Sequence, residues 1–376
     1  MPSETTSESV CSPQMFKRKT PTRPEGENLE LGLENTAGGG LLLPTGCSLL
    51  NLALSNNVWG GYQSGRIANP VGDSHAGKTI LTLTGLAEMA CNPAYDDYLL
   101  LFDDLESAQS FDIERMFGRK LLLRLQEAWE EETPAGYDEY EPPDTIQEWY
   151  ARTLRRLQSG RPFVNVLDSF DALSTTEEQK RSQEMASGKE SGSYKMEKAR
   201  WASEVLRVIS RGISNTKSLV IIISQTRDNI DPIGFQKKTR AGGRALEFYA
   251  SYIFWLAKLS SIARGEGVKK IKIGRNVQAK VTKTKTTGFE GDIRFPIYRQ
   301  IGVDDIGASL DFLAEWSPKW QKGKTISCEE LNLSGYKMDV CRAIEEQNLQ
   351  NNIKIHLQEA WDAYIQSADL GRQRRF

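Results

Sequence analysis

Eight consecutive residues, Gly72-Asp73-Ser74-His75-Ala76-Gly77-Lys78-Thr79, constrain this chain more than any other stretch, because they fit G-x-x-x-x-G-K-[ST]. The two glycines let backbone N–H groups curl around phosphate oxygens, and a helix starting directly behind them adds the positive end of its dipole. Arg66-Ile67-Ala68 reads as a short strand leading in, and the residues through Met89 read as the helix leading out. In that setting Lys78 is expected to reach the β- and γ-phosphates of a nucleotide, and the Thr79 hydroxyl to bind Mg2+. The whole loop, 72–79, is the expected nucleotide contact, with His75 a solvent-facing spacer rather than a base.

The rest of the chain supplies a sheet for this unit. Tyr98–Phe102, Phe163–Leu167, Leu219–Ser224 and Ser251–Ala257 are short, continuous apolar runs. Such strands are expected when helices cover both faces of a parallel sheet. Trp201, Val205, Val208 and Ile209 recur at helical spacing between two of them, giving a crossover helix. The layout predicts an α/β fold with right-handed crossovers. Composition agrees, since 39% hydrophobic and 26% charged residues allow a sizeable core. The longest purely aliphatic run, Leu219 to Ile223, is too short to cross a bilayer, so no membrane partner is expected. Met1-Pro2-Ser3-Glu4 lacks the basic start and apolar stretch of a secretory leader. The scattered cysteines form no C-x-x-C pair and only His75 and His356 accompany them, which predicts reduced thiols and leaves little for a zinc site.

Three regions are expected. Residues 1–40, rich in Ser, Thr, Pro, Glu and Gly, read as a flexible N-terminal arm. Residues 41–322 carry the core. Residues 323–376 read as a small helical C-terminal appendage, with Leu357, Trp361, Tyr364 and Ile365 marking one amphipathic helix. Two stretches interrupt the core. Residues 127–144 hold eight acids and no Lys or Arg, which predicts a solvated loop or an acidic docking surface. Residues 177–195, polar with Gly188 and Gly192, read as a mobile loop.

A magnesium site needs a second anchor. Phe163-Val164-Asn165-Val166-Leu167-Asp168 ends an apolar strand with an acid, so Asp168 is expected to hold Mg2+ beside Thr79. A carboxylate able to act on water should come from a neighbouring strand end. Asp103, Asp104 and Glu106 all qualify there, and spacing does not choose among them.

Several segments resemble the RecA recombinase family, in matching order over roughly residues 41–316. They are Leu43-Pro44-Thr45-Gly46 with Gly65-Arg66-Ile67, Leu167-Asp168-Ser169-Phe170-Asp171-Ala172-Leu173, Ile223-Ser224-Gln225, and Gly242-Gly243-Arg244-Ala245-Leu246-Glu247-Phe248-Tyr249-Ala250-Ser251. The run Ile223 to Asn229 gives the likeness the flavour of phage and mobile-element members. The resemblance implies a RecA-like phosphate-loop NTPase core with a mostly parallel twisted sheet flanked by helices. It also implies a DNA-dependent ATPase using ATP and Mg2+, in the cytoplasm of a bacterial or phage-infected cell. By motif, Glu106 in Asp104-Leu105-Glu106-Ser107-Ala108 matches the family's catalytic glutamate, and Gln225 matches its γ-phosphate-sensing glutamine. Lys283 and Lys285 match paired lysines that reach a neighbouring subunit's ATP.

The same likeness implies two DNA-binding loops, near 177–195 and 226–244. The second carries Arg227, Phe235, Lys237, Lys238, Arg240, Gly242, Gly243 and Arg244, basic side chains for phosphates and an aromatic that can stack on bases. Expected partners are single-stranded and double-stranded DNA, further copies of the chain in a helical filament, and a recombination mediator or single-strand-binding protein. Two other readings share this core: a ring-forming, helicase-like motor, and a nucleotide-gated mediator without strand exchange. The formal charge of −2 does not oppose a nucleic-acid partner. Residues 264–285 hold eight basic residues against Glu266 alone, so opposite charges are segregated rather than absent.

Overall fold

Strand β1 (Arg66–Gly72) carries the phosphate loop at its C-terminal end, and helix α1 (Lys78–Cys91) leaves from the loop. The computed structural model describes residues 34–35, 40–106, 112–133, 140–186, 197–228, 238–240, 243–265, 269–368 and 371. In chain order there follow β2 (Leu99–Asp104), α2 (Arg119–Glu132), α3 (Ile146–Ser159), β3 (Phe163–Asp168), α4 (Thr176–Ala186), α5 (Glu197–Thr216) and β4 (Leu219–Ile222). Next come β5 (Ser224–Asp228), β6 (Lys238–Arg240), α6 (Gly243–Tyr249), β7 (Tyr252–Arg264), β8 (Ile271–Thr284), β9 (Gly291–Tyr298), β10 (Gly302–Val303), α7 (Asp305–Trp316) and α8 (Gln350–Ser367).

Strands β2, β3, β4, β1 and β7 are parallel neighbours in that spatial order, and β8, β9 and β10 continue the sheet antiparallel. The period of two along each strand divides the core. Leu100 and Phe102 face the cluster that holds Leu83, Leu86 and Met89 of α1, while Leu99 and Leu101 face the cluster that holds Trp149 of α3 and Ile209 of α5. Covering both faces in this way is what makes the central strands continuously apolar. The α/β architecture expected from the residues, with the RecA-like core that the resemblance implies, is the one observed.

Helix α5 buries Ala202, Val205, Leu206, Ile209 and Ile213, so the expected stripe shifts. Val208 falls off that face and is 44% exposed. Residues 177–186, expected as loop, are helical in α4. A capping box explains this: the Thr175 hydroxyl accepts from Glu178 N at 3.1 Å and the Glu178 carboxylate accepts from Thr175 N at 2.8 Å. Residues 187–196 lie outside the described residues.

The start of the acidic stretch is also helical. Leu121, Leu125 and Ala128 give α2 a buried stripe that carries Glu127 to Glu132 with it. Carboxylates in a last turn oppose the helix dipole. Arg156 meets Glu132 at 2.7 Å and Arg161 meets Glu131 at 2.9 Å, supplying the compensating charge.

Residues 323–368 hold the short strands Ile326–Cys328 and Leu333–Gly335 besides the helices Lys337–Glu346 and α8. Trp361 of α8 is fully buried in the cluster shared with α1, and Gln358 accepts from Val58 N at 3.0 Å. Of the expected arm, residues 1–33 and 36–39 lie outside the described residues. Glu34–Asn35 pairs with Gly40–Leu41. No helix among the described residues is long and apolar enough to cross a membrane.

Candidate nucleotide-binding site

The site lies where the C-terminal ends of β1, β2, β3 and β5 converge, the usual place for a ligand on an open parallel sheet. Two glycines shape the phosphate loop for separate reasons. A Cβ on Gly72 would stand 2.5 Å from the Leu256 carbonyl oxygen of β7. Gly77 takes φ +101° and a Cβ there would stand 2.4 Å from Ile297 Cδ1. His75 also sits at positive φ, 61°, and its side chain is exposed.

Lys78 is buried, and its Nζ donates to the carbonyls of Gly72 at 2.9 Å and Asp73 at 2.8 Å. Burial lowers its pKa, opposed by the carboxylates of Asp168, Glu106, Asp171 and Asp73. The Thr79 hydroxyl donates to Asp168 Oδ2 at 2.5 Å. Burial pushes the Asp168 carboxyl up to about 6, with the Thr79 hydrogen bond pulling the other way and Glu106 adding to the rise. A hydroxyl and a carboxylate converging beside a lysine form the hard oxygen set that suits Mg2+ next to a polyphosphate.

The three carboxylates at the end of β2 separate here. Asp103 is fully buried on the α3 face, where Asn165 Nδ2 donates to its Oδ2 at 2.8 Å and the Tyr140 hydroxyl donates to its Oδ1. Asp104 pairs in register with Asp168. Glu106 reaches the site: Ser169 Oγ donates to its Oε1 at 2.7 Å and Gln225 Nε2 donates to the same oxygen at 2.6 Å. Gln225 is positioned twice more, by its place opposite Gly72 in the β1–β5 ladder and by its backbone N–H on Asp171 Oδ2 at 2.8 Å. Ser169 and Asp171 are site residues that the residue-by-residue reading did not single out. Both stand in the Leu167–Leu173 segment quoted for the resemblance, one and three residues past the end of β3.

Lys283 and Lys285 are not brought to this site within the chain. Thr284 pairs with Tyr252, which pairs with Ala68 near the start of β1. The phosphate loop lies four residues further along, ~13 Å at the ordinary strand rise. Lys283 Nζ donates instead to the carbonyls of Glu247 and Phe248 of α6, and Lys285 is exposed. Of the second loop, β5 and β6 form its paired stems, with Arg227 opposite Thr239 and Thr226 opposite Arg240. Lys238 and Arg240 are placed by their backbone in β6, Gly243 starts α6, and the Arg244 side chain is exposed. Phe235, Lys237 and Gly242 lie outside the described residues.

A family model for the RecA N-terminal domain matches residues 144–303. Protein RecA of Geobacter sulfurreducens is 29% identical over 293 residues, covering 77% of this chain and 77% of its own length. Protein RecA 1 of Myxococcus xanthus is 27% identical over 286 residues, covering 76% of this chain and 74% of its own length. Protein RecA of Borrelia turicatae is 26% identical over 329 residues, covering 87% of this chain and 80% of its own length. Likeness spread over this much of the chain, on a sheet of the matching architecture, supports a RecA-like recombinase family.

Proposed function

We propose that this chain is an ATP-dependent recombinase that assembles as a filament on single-stranded DNA, pairs it with homologous double-stranded DNA, and hydrolyses ATP. The observation that carries the reading is Gln225. Its side chain binds Glu106, its backbone pairs with the phosphate-loop strand, and its own strand runs on into the basic second loop. One residue thereby touches the chemistry and the segment expected to hold DNA.

Lys78 would exchange its two loop carbonyls for phosphate oxygens, and Thr79 with Asp168 would hold Mg2+, whose charge would offset that of the phosphates. Both described donors to Glu106 take Oε1. That leaves Oε2 to accept a hydrogen bond from the attacking water and aim it. Lys283 and Lys285, remote from the loop of their own chain, are suited to a neighbour's ATP, where they would offset charge developing on the transferred phosphoryl group. Arg227, Lys238, Arg240 and Arg244 would meet backbone phosphates.

Phosphate release measured with and without single-stranded DNA, followed by electron microscopy of the same sample, tests this. The reading expects DNA-stimulated hydrolysis and filaments. Rings in place of filaments would replace it with the ring-motor reading. Hydrolysis indifferent to DNA, without strand exchange, would leave a nucleotide-gated mediator.

A further inference from the structure

Asp73 is the second residue of the phosphate loop, and Thr226 is the third residue of β5, the strand that leads towards residues 229–237. The parallel register pairs Val71 with Ser224 and Gly72 with Gln225. The next residues along the two strands, Asp73 and Thr226, therefore fall side by side just where the phosphate loop and the second loop part company. There the Thr226 hydroxyl donates to Asp73 Oδ1. A carboxylate acceptor makes this a charge-assisted bond, stronger than one between neutral groups.

Both ends of Asp73 are thus engaged. Its carbonyl accepts from Lys78 Nζ at 2.8 Å, and its carboxylate acts on the Lys78 charge. On the far side, Thr226 pairs through its backbone with Arg240 across the β5–β6 stem. A polyphosphate entering the loop draws Lys78 away from the Asp73 carbonyl. It also sets negative charge beside the Asp73 carboxylate and offers Thr226 a competing acceptor. The repulsion of the carboxylate and the competing acceptor for the hydroxyl both weaken the Asp73–Thr226 bond.

We infer that Asp73 and Thr226 form a latch that holds the stem of the second loop against the phosphate loop until a polyphosphate arrives. The inference rests on the reading that the loop binds ATP and that the second loop binds DNA. Both residues are positioning residues: they set where the stem stands, one step along the chain from Gln225. Holding the stem in the nucleotide-free state makes DNA affinity depend on nucleotide, because the ligand then has a difference between two states to act on.

The test reads coupling rather than activity. Fluorescence anisotropy of a labelled single-stranded oligothymidylate gives the DNA affinity of the full chain, first without nucleotide and then with a non-hydrolysable ATP analogue and Mg2+. The parent is expected to gain affinity with the analogue. Thr226→Val is expected to raise the nucleotide-free affinity roughly fivefold and to shrink the gain by that factor. Thr226→Ser keeps a hydroxyl and is expected to keep the parental ratio. Asp73→Ala is expected to match Thr226→Val, and the double variant to go no further than either single one. A parental ratio in Thr226→Val or in Asp73→Ala, in a parent that does gain affinity, overturns the latch and leaves the ATP and DNA reading standing. Should Thr226→Val fail to fold, Asp73→Ala and Thr226→Ser decide the question by the same ratios. A parent whose DNA affinity ignores the analogue overturns both.

Discussion

Gln225 donates its side-chain amide to Glu106 Oε1 at 2.6 Å while its backbone N–H is held by Asp171 at 2.8 Å, so one residue joins the Glu106 carboxylate to the end of the strand that leads to the second loop. A phosphate oxygen arriving near Lys78 offers that amide a second acceptor. Gln225→Ala removes the reporter while Ser169 still holds Glu106. Stimulation of hydrolysis by single-stranded DNA is expected to fall at least roughly tenfold, with ATP affinity within about threefold of the parent. Steady-state phosphate release with and without DNA, beside equilibrium dialysis of ATP, measures both.

Glu106→Gln keeps the shape of the side chain and removes its charge. The amide can still meet Ser169 and Gln225, so the site should assemble and bind ATP. It no longer offers a carboxylate to water, and hydrolysis is expected to fall about 10²–10⁴-fold. DNA held in the presence of ATP should then dissociate more slowly than from the parent. Hydrolysis at the parental rate would move the water-directing role to another carboxylate.

Much of the site was legible because phosphate-binding chemistry is local. Gly72 to Thr79 are contiguous, and Asp168 ends an apolar strand, so short windows of sequence hold the information. The choice among Asp103, Asp104 and Glu106 was of another kind. It depends on which face of β2 each side chain takes and on what lies opposite, and Asp103 is claimed by Asn165 and Tyr140 from other segments. Helix α4 was hidden because no residue of it is buried, leaving no apolar period to read. Its one local signal was the Thr175–Glu178 capping box. The Asp73–Thr226 contact is invisible in either segment alone, because it follows from the register of β1 against β5.

The buried Asp168 carboxyl gives the metal-free protein a pH dependence. Its proton is held more tightly in the folded state, about 6 against the ordinary 3.8. Stability from this group is therefore present in full below pH 3.8 and lost as pH rises through about 6. The difference amounts to about 3 kcal/mol. In chelator, Asp168→Asn is expected to melt higher than the parent at pH 7, and the two melting curves should approach each other towards pH 4. Equal pH dependence of the two proteins would show that Asp168 is not the group responsible. Mg2+ with nucleotide should restore parental stability at pH 7 and do little for the variant.

Tyr140 ties the end of the acidic stretch to the sheet. Burial beside Asp103 pushes its phenol up, so it stays protonated and donates. Trp129 of α2 stacks on its ring, the centroids 6.2 Å apart, and Trp149 Nε1 donates to Asn165 Oδ1 at 3.1 Å behind it. Tyr140→Phe keeps the stacking and leaves Asp103, which is wholly buried, short of a donor. Loss of about 1–3 kcal/mol is expected by denaturant unfolding. Asp103→Asn together with Tyr140→Phe should cost less than the two single changes combined, since the uncompensated charge is gone.

Lys283 and Lys285 stand at the opposite end of the strands from their own phosphate loop, and this makes a subunit-mixing experiment decisive. In a head-to-tail assembly each ATP would take Lys78 from one subunit and the paired lysines from the next. Lys78→Ala alone and the double change Lys283→Ala with Lys285→Ala should each abolish DNA-stimulated hydrolysis. Mixed in equal amounts on one DNA, the two variants place an intact loop against intact lysines at about one interface in four if assembly is random. Hydrolysis should therefore reappear on mixing and depend on both proteins. If the mixture stays as inactive as its components, the lysines serve their own chain, and the two-subunit site fails with them.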